Sequence, residues 1–333
     1  MRLVSTLVSL ALVATFSSAL CAQGGGGGNG GNAPPPPPPA DASVAFRKDY
    51  RLCLARLDGS GQTVIGSMQI DGSIAWAPNG GPLFFQRYSS PWGIYRIQAN
   101  GTGEALVAPL AGSDKWGVAV TRGAPCPDGS HRVFWCDVTS VGPTWDLFSA
   151  RLDGSDRRRL TTNQRFNAVS VSPSGDRVVV RDDSIDFKLL TLGLVGGQLA
   201  IVGSQSLIDD YPTHPLHWSV DDWWLGNLWF EDLGPNNLLG NNLLFRASNV
   251  WVTDERLYRV DVTNPLGLVQ LSVPTNATGG VCPTADGQYL FYVKANSYSR
   301  ASIYRMNANG TGSAVWADAG RKGYFNMVCT RPL

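Results

Sequence analysis

A short unit returns at intervals along this chain, and a chain that repeats itself has to fold as an array of like parts. Ala-Arg-Leu-Asp-Gly-Ser occupies 55–60 and again 150–155, and Ile-Tyr-Arg followed by Ala-Asn-Gly-Thr-Gly runs from Ile94 to Gly103 and from Ile303 to Gly312. A second half-unit ends in a Gly turn at Trp76 to Gly80, Cys126 to Gly129, Ser172 to Gly175 and Thr284 to Gly287, each followed by a strand rich in Val, Leu or Phe. Self-similarity of this kind marks an architecture in which each unit buries its apolar face against its neighbours.

Within 146–180 the local logic is visible. Two apolar runs, 146–152 and 167–171, end at Asp153-Gly154-Ser155 and Pro173-Ser174-Gly175. An Asp-Gly pair between alternating apolar runs is a strong hairpin signal, because both central residues of a type I′ turn need φ > 0. The units therefore read as four-stranded antiparallel blades, and the fold expected is an all-β, six-bladed β-propeller. In the first blade the outermost strand is expected at 63–65, and the innermost strand of the second at 74–77. The fifth blade is irregular: its inner strand is expected near 215–219, its next two at 242–247 and 256–260, with 221–241 left as a Trp-rich insertion. A strand at 325–330 is left over at the C-terminus, and pairing it inside 43–48 would close the ring.

The N-terminal residues belong to none of this. Residues 1–22 hold Arg2, an apolar run and then small residues, which reads as a secretory signal cleaved near Ala19 or Ala22. Cys21 raises lipid attachment as the competing reading, but Leu20 stands where a lipobox has a small residue. Residues 23–42 form a Gly/Pro-rich tether in which Pro34 to Pro39 should be a stiff polyproline II rod. The repeats then fill 43–333. A periplasmic or secreted location is expected.

Charge excludes one class of partner. A formal net charge of +1 with 16% charged residues offers no field for nucleic acid or an anionic membrane. Arg157, Arg158 and Arg159 read as a solvated edge strand beside Asp153 and Asp156. In an oxidising compartment, Cys53, Cys126, Cys136, Cys282 and Cys329 invite disulfides. Cys126 with Cys136, and Cys282 with Cys329, are the two pairings considered. No Cys-x-x-Cys is present, so no zinc site is expected.

The pattern Ile/Leu-Tyr-Arg, Asp/Asn-Gly-Ser/Thr, then Ser-Pro-Asp/Ser-Gly and an aliphatic strand resembles the propeller repeat of the TolB family, periplasmic proteins of Gram-negative bacteria. The resemblance covers 43–333 and implies a propeller fold and an envelope protein as partner, such as a peptidoglycan-associated lipoprotein. TolB proteins carry an α/β domain before the propeller, and here that space holds the Gly/Pro tether.

Candidate functional residues fall in two groups. The Asp-Gly and Pro-Asp-Gly turns share one end of the strands, so the longer connections share the other, and these carry Trp92, Trp116, Trp145, Tyr211 and Tyr298. Large amphipathic side chains of this type are enriched in binding hot spots, although each taken singly could equally pack between blades. The insertion offers Trp223, Trp224 and Trp229 as a second patch or as a lid over its own blade. Catalytic chemistry is thin. No Gly-x-Ser-x-Gly elbow exists. The histidines are His131, His214 and His217, and the last two, three apart on an expected strand, point to opposite faces. No cofactor and no metal are expected. The function expected is a monomeric binding or scaffolding propeller with a protein or carbohydrate partner, and the alternative is a metal-assisted oligogalacturonide-type lyase.

Overall fold

The computed structural model describes residues 43–87, 90–111, 117–138, 144–182, 186–208, 210, 223–230, 242–249, 256–271, 277–284, 286–295, 300–321 and 328–331. Every regular element among them is a strand, apart from a 3₁₀ turn at Pro78–Gly80. No helix among the described residues is long and apolar enough to cross a membrane.

Strands β1 to β6 are Val44–Lys48, Arg51–Ala55, Thr63–Trp76, Leu83–Arg87, Gly93–Ile97 and Ala105–Pro109. With β23 (Val328–Thr330) they make one seven-stranded sheet in the order β23-β1-β2-β3-β4-β5-β6. The remaining sheets have four strands each. Strands β7 to β10 are Val118–Val120, Arg132–Val138, Trp145–Arg151 and Arg158–Arg159; β11 to β14 are Phe166–Val171, Arg177–Asp182, Phe187–Val195 and Gln198–Ser206. Strands β15 to β18 are Trp223–Phe230, Asn242–Asn249, Arg256–Asp261 and Asn264–Gln270; β19 to β22 are Ala277–Pro283, Tyr289–Ala295, Arg300–Asn307 and Ala314–Arg321. All ladders named here are antiparallel. The arrangement is that of a β-propeller: the first strand of each four-stranded sheet lies beside that of the next, β7 beside β11, β11 beside β15 and β15 beside β19, and β3 of the larger sheet lies beside β7.

The sheets differ from the expected six separate blades: there are four four-stranded blades and one larger sheet. The cause is β3. Its first half pairs with β2 (Leu52↔Ile65, Leu54↔Thr63) and its second half with β4 (Ile74↔Phe85, Trp76↔Leu83), so one unbroken strand serves two ladders. Where a connection was expected between 65 and 74, the strand continues through two bulges: Gly66 takes a φ of +72°, and Gln69 pairs with Arg51 and Ile70 with Arg87. Strand β23 pairs with β1 in the register Val44↔Thr330, Ala45↔Cys329 and Phe46↔Val328.

The fifth unit departs from expectation too. Trp223–Phe230 is not part of an inserted connection but the first strand of its sheet, with Trp223↔Asn249, Trp224↔Ser248 and Trp229↔Leu244. The run Trp-Trp-Leu-Gly-Asn-Leu-Trp-Phe is aromatic-rich in the way strands are, which favours it over the inserted connection expected at 221–241. Residues 215–219 lie outside the described residues.

The core is distributed between sheets. Along β4, Leu83 and Phe85 join a cluster with Leu52, Leu54 and Trp76, while Phe84 between them joins another with Val133 and Trp135. Strand β8 repeats this, Val133 and Trp135 facing one neighbour and Phe134 and Cys136 the other. In β12, Val178 and Val180 face back while Val179 faces forward to Phe187 and Phe245. Side chains alternate across a strand, so a middle strand buried on both faces must be apolar at every position. That is why these strands read as continuous runs. Phe187 meets Phe245 of the next sheet edge-on at 5.0 Å, and burying each such ring contributes about 1.5–3 kcal/mol.

No disulfide joins described cysteines. Cys126 and Cys136 are both buried thiols, which corrects the expected pairing. Cys126 N donates to Ser130 O in the β7 to β8 connection, whereas Cys136 lies well into β8 beyond Arg132. At about 3.3 Å per residue that separates it by on the order of 13 Å, against a Cα limit of roughly 7 Å for a bridge. The side chain of Cys329, needed for the other pairing, lies outside the described residues. Burial, reinforced by Asp128, pushes the Cys126 thiol up to about 12, and burial pushes Cys136 up as well. Iodoacetamide at pH 8 is therefore expected to leave both unlabelled in the native protein and to label both after unfolding without reductant. Peptide mapping that finds either in a bridge would overturn the assignment.

Candidate functional site

Antiparallel strands put connections alternately at two ends of each sheet. The short Asp-Gly and Pro-x-Gly turns share one end, the turn end. The connections after β4, β6, β8, β10, β12 and β14 share the other, the loop end.

At the loop end the sequence placed its aromatic candidates, and buried carboxylates hold the loops that present them. Asp146 is fully buried at the start of β9. It accepts from Arg159 Nη2 at 2.6 Å and Nε at 3.1 Å, from Thr161 Oγ1 at 3.2 Å, and from the backbone N–H of Gln164 at 3.1 Å. Asp186 repeats the device one sheet later. Also fully buried, it accepts from Lys188 Nζ at 2.6 Å, Ser206 Oγ at 2.6 Å and Ile208 N at 3.1 Å. Asp137, at the end of β8, accepts from Ala111 N at 3.1 Å in the connection that leaves the preceding sheet. A buried carboxylate with several N–H and O–H donors is satisfied, and it fixes the donors' loops in return. Sequence reasoning missed all three. The signal was present as Cys136-Asp137-Val138, Trp145-Asp146-Leu147 and Asp186-Phe187, an aspartate inside an apolar strand end.

Trp92 sits in the connection from β4 to β5 and is 38% exposed. Its loop is pinned on both sides. Leu110 N donates to Trp92 O at 3.1 Å, and Tyr95 Oη donates to Pro91 O at 3.2 Å. Arg87 Nη1 in turn donates to Tyr95 Oη at 3.2 Å, with its guanidinium 5.4 Å above the ring. The indole is thus held out by a fixed backbone. Trp145 shares the loop end but is half-buried against the Phe134, Leu147 and Phe166 cluster, and its backbone N–H donates to Gln164 O at 2.9 Å. Trp116, Tyr211 and Tyr298 lie outside the described residues. Trp223, Trp224 and Trp229 belong to β15, not to a connection, and their side chains also lie outside what is described.

An ion network that the Arg-rich run helps to build runs from the turn end of this blade to its loop end. Arg132 is fully buried and pairs with Asp128 at 2.7 Å and with Asp156, while Arg132 Nη1 donates to Ser149 Oγ at 3.3 Å and Asp156 O at 3.2 Å. Arg158 pairs with Asp156 at 2.6 Å, and Arg159 with Asp146. Arg157 reaches Asp137 at 3.4 Å and lies 5.5 Å over Trp135 and 5.3 Å over Phe148. The partners are therefore Asp137, Asp146 and Asp156, where Asp153 and Asp156 were expected. Three arginines, each against its own carboxylate, leave no basic stripe for a phosphate backbone.

Among the described residues no group of three or more His, Cys, Asp or Glu is placed to hold a metal ion. His131 is tied to Thr121 Oγ1 at 3.1 Å; His214 and His217 lie outside the described residues.

Neither a protein-family model nor any curated protein matches the sequence. Among solved structures, the chain is similar to TolB from Acinetobacter baumannii, with a TM-score of 0.62 and 14% identity over 89% of this chain and 68% of that one. It is also similar to a TolB-type protein from Agrobacterium tumefaciens, with a TM-score of 0.54 and 14% identity over 88% of this chain and 99% of that one. The fold is that of the TolB-like propeller.

Proposed function

We propose that this chain is an exported, non-enzymatic propeller that binds a protein of the cell envelope at its loop end, with residues 1–22 as export signal, 23–42 as tether and 43–333 as the propeller. The observation that carries it is the pairing of an exposed Trp92 with loops locked by buried Asp137, Asp146 and Asp186. Connections held at their ends by buried carboxylates lower the entropy cost of binding a partner, which is what a recognition surface requires and a mere linker does not. Trp116, Tyr211 and Tyr298 are assigned to the same mouth by their connections and Trp145 by its place at the start of β9, with Trp223, Trp224 and Trp229 as a second binding patch. A periplasmic or secreted location follows from the signal.

The scaffold for this mouth is a closed ring of six blades. Counting β3 as the last strand of one blade and the first of the next turns the seven-stranded sheet into two. Closure is supported by the pairing of β23 with β1, by β23 lying beside both β19 and β3, and by a cluster in which Val44, Phe46 and Cys53 meet Cys282, Phe291 and Ile303. Trp316 bridges the same seam, 5.6 Å from Phe46 and donating from Nε1 to Leu57 O at 2.9 Å.

Trp92→Ala tests the reading. Retention of envelope proteins on the immobilised full-length chain, quantified by mass spectrometry, is expected to lose its main partner with affinity down about 30-fold or more, while the thermal midpoint stays put. Unchanged retention would overturn the assignment of the loop end. A thermal shift with manganese or calcium, accompanied by cleavage of oligogalacturonides, would overturn the non-enzymatic reading in favour of a lyase.

A further inference from the structure

We propose that the outer strand β14 pairs edge to edge with β14 of a second copy of this chain, giving a two-fold dimer. A sheet's last strand presents unpaired backbone groups, and proteins that stay apart blunt such edges with charge, proline or shortness. The other outer strands here do so. Strand β10 is two arginines long, β6 ends in Pro109, β18 contains Pro265, and β22 carries Asp318 and Arg321. Strand β14 has none of these; its irregularity is a single bulge at Val202, where Thr191 pairs with Gly203 and Leu192 with Ile201. It is nine residues long, Gln-Leu-Ala-Ile-Val-Gly-Ser-Gln-Ser, and the whole stretch 189–208 contains no ionisable residue.

Its apolar groups face outward. Val202 is 54% exposed, and Leu194 and Val195 on the hairpin partner β13 are 49% and 62% exposed. The hairpin overhangs its sheet, since β12 pairs with β13 only from Phe187 to Thr191 while β13 continues to Val195. A Cβ added at either turn residue, Gly196 or Gly197, would meet nothing within 4 Å, so the tip projects into open space.

Charge at the two ends of the strand selects the occupant. At one end Arg158 Nη1 donates to Gln198 Oε1 at 2.7 Å. At the other, Ser206 N donates outward to Asp210 Oδ2 at 2.9 Å, while the next residue, Leu207, donates inward to Phe187 O at 2.8 Å. The bulge at Val202 shifts the pairing phase, so the outward backbone groups of Leu199, Ile201, Ser204 and Ser206 match when an antiparallel copy is centred between Val202 and Gly203; this sets Gln198 opposite Leu207 and brings Arg158 of each chain to the end that holds Asp210 of the other. The contact is self-complementary: uncharged strand on uncharged strand in the middle, opposite charges at both ends. That is what an isologous interface demands.

Sedimentation velocity on the full-length protein tests this. The wild type is expected to show a concentration-dependent dimer. Val202→Lys, which faces solvent in the single chain and its own copy in the dimer, is expected to raise the dissociation constant by about 100-fold with an unchanged circular dichroism melting curve. Asp210→Arg should weaken the dimer, and adding Arg158→Glu should restore it. Trp92→Ala leaves the dimer intact, so this proposal and the loop-end assignment fail separately. The pairing is overturned by a wild type that stays monomeric at all concentrations, by a dimer indifferent to Val202→Lys, or by an extended peptide of another protein occupying β14 instead.

Discussion

Arg132→Met lowers the unfolding free energy by about 1.5–3 kcal/mol, the worth of charged hydrogen bonds from a buried guanidinium to carboxylates that are themselves only partly buried. The side chain is completely enclosed, and its guanidinium is shared by Asp128 from the β7 to β8 connection and Asp156 from the β9 to β10 turn. It therefore ties two turns of one blade together at the turn end. Methionine keeps most of the volume and removes the charge, so the loss reports the ion network more than a cavity. Acid should separate the variant from the wild type. Burial pushes the Asp128 carboxyl up, but hydrogen bonds from Arg132 and Ser130 outweigh it and hold it below 3.8. Asp156 is lowered by its hydrogen bond from Arg158, against slight burial, and further by Arg132. Depressed carboxyls contribute stability that is fully present above their unfolded value and is lost as pH falls through their folded values. The wild type should thus lose stability steeply below pH 3.8, and Arg132→Met should show a shallower acid limb. Urea midpoints measured between pH 7 and pH 2.5 check both; parallel acid limbs would sink the account.

The blade pattern was legible because two periodicities reinforced it. Turn residues recur at Asp58-Gly59, Asn100-Gly101, Asp153-Gly154 and Asn309-Gly310, and the middle strands are apolar at every position. What could not be read was where one blade ends and the next begins in the absence of a turn. Residues 66–73 of β3 contain two glycines and an aspartate, which read as a loop, yet the chain carries the strand through them by bulging, with Gln69 paired to Arg51 of β2 and Ile70 to Arg87 of β4. Tertiary demand overrode local propensity. The same competition misplaced the first strand of the fifth unit, where a Trp-rich run was more strand-like than the segment chosen for it. At the loop end, aromatic residues drew attention because their chemistry is conspicuous in sequence. The aspartates that hold the loops did not, since a buried Asp146 and an exposed Asp153 look alike until Arg159, Thr161 and Gln164 are seen to converge on one of them.

Gly310→Ala is expected to cost about 3–5 kcal/mol, whereas Gly129→Ala costs about 1 kcal/mol, although both glycines have positive φ, +87° and +75°. The backbone penalty is common to the two. The difference is what lies outside the turn. A Cβ at Gly129 would meet nothing within 4 Å, while one at Gly310 would overlap the carbonyl oxygen of Leu271, a backbone atom of the preceding sheet that cannot swing aside. Leu271 is itself held by the bond from its N–H to Leu257 O at 2.8 Å, so relief requires the two sheets to part. Gly154 stands in the same relation to Val107 O, and Gly59 to Trp316 O across the seam between the first and last units. The repeated Asp/Asn-Gly pair therefore meets two requirements at once, a left-handed turn within a blade and a close backbone approach between blades. Urea unfolding of the two variants beside the wild type measures the second requirement by subtraction. Equal losses would mean that the turn conformation alone explains the repeat.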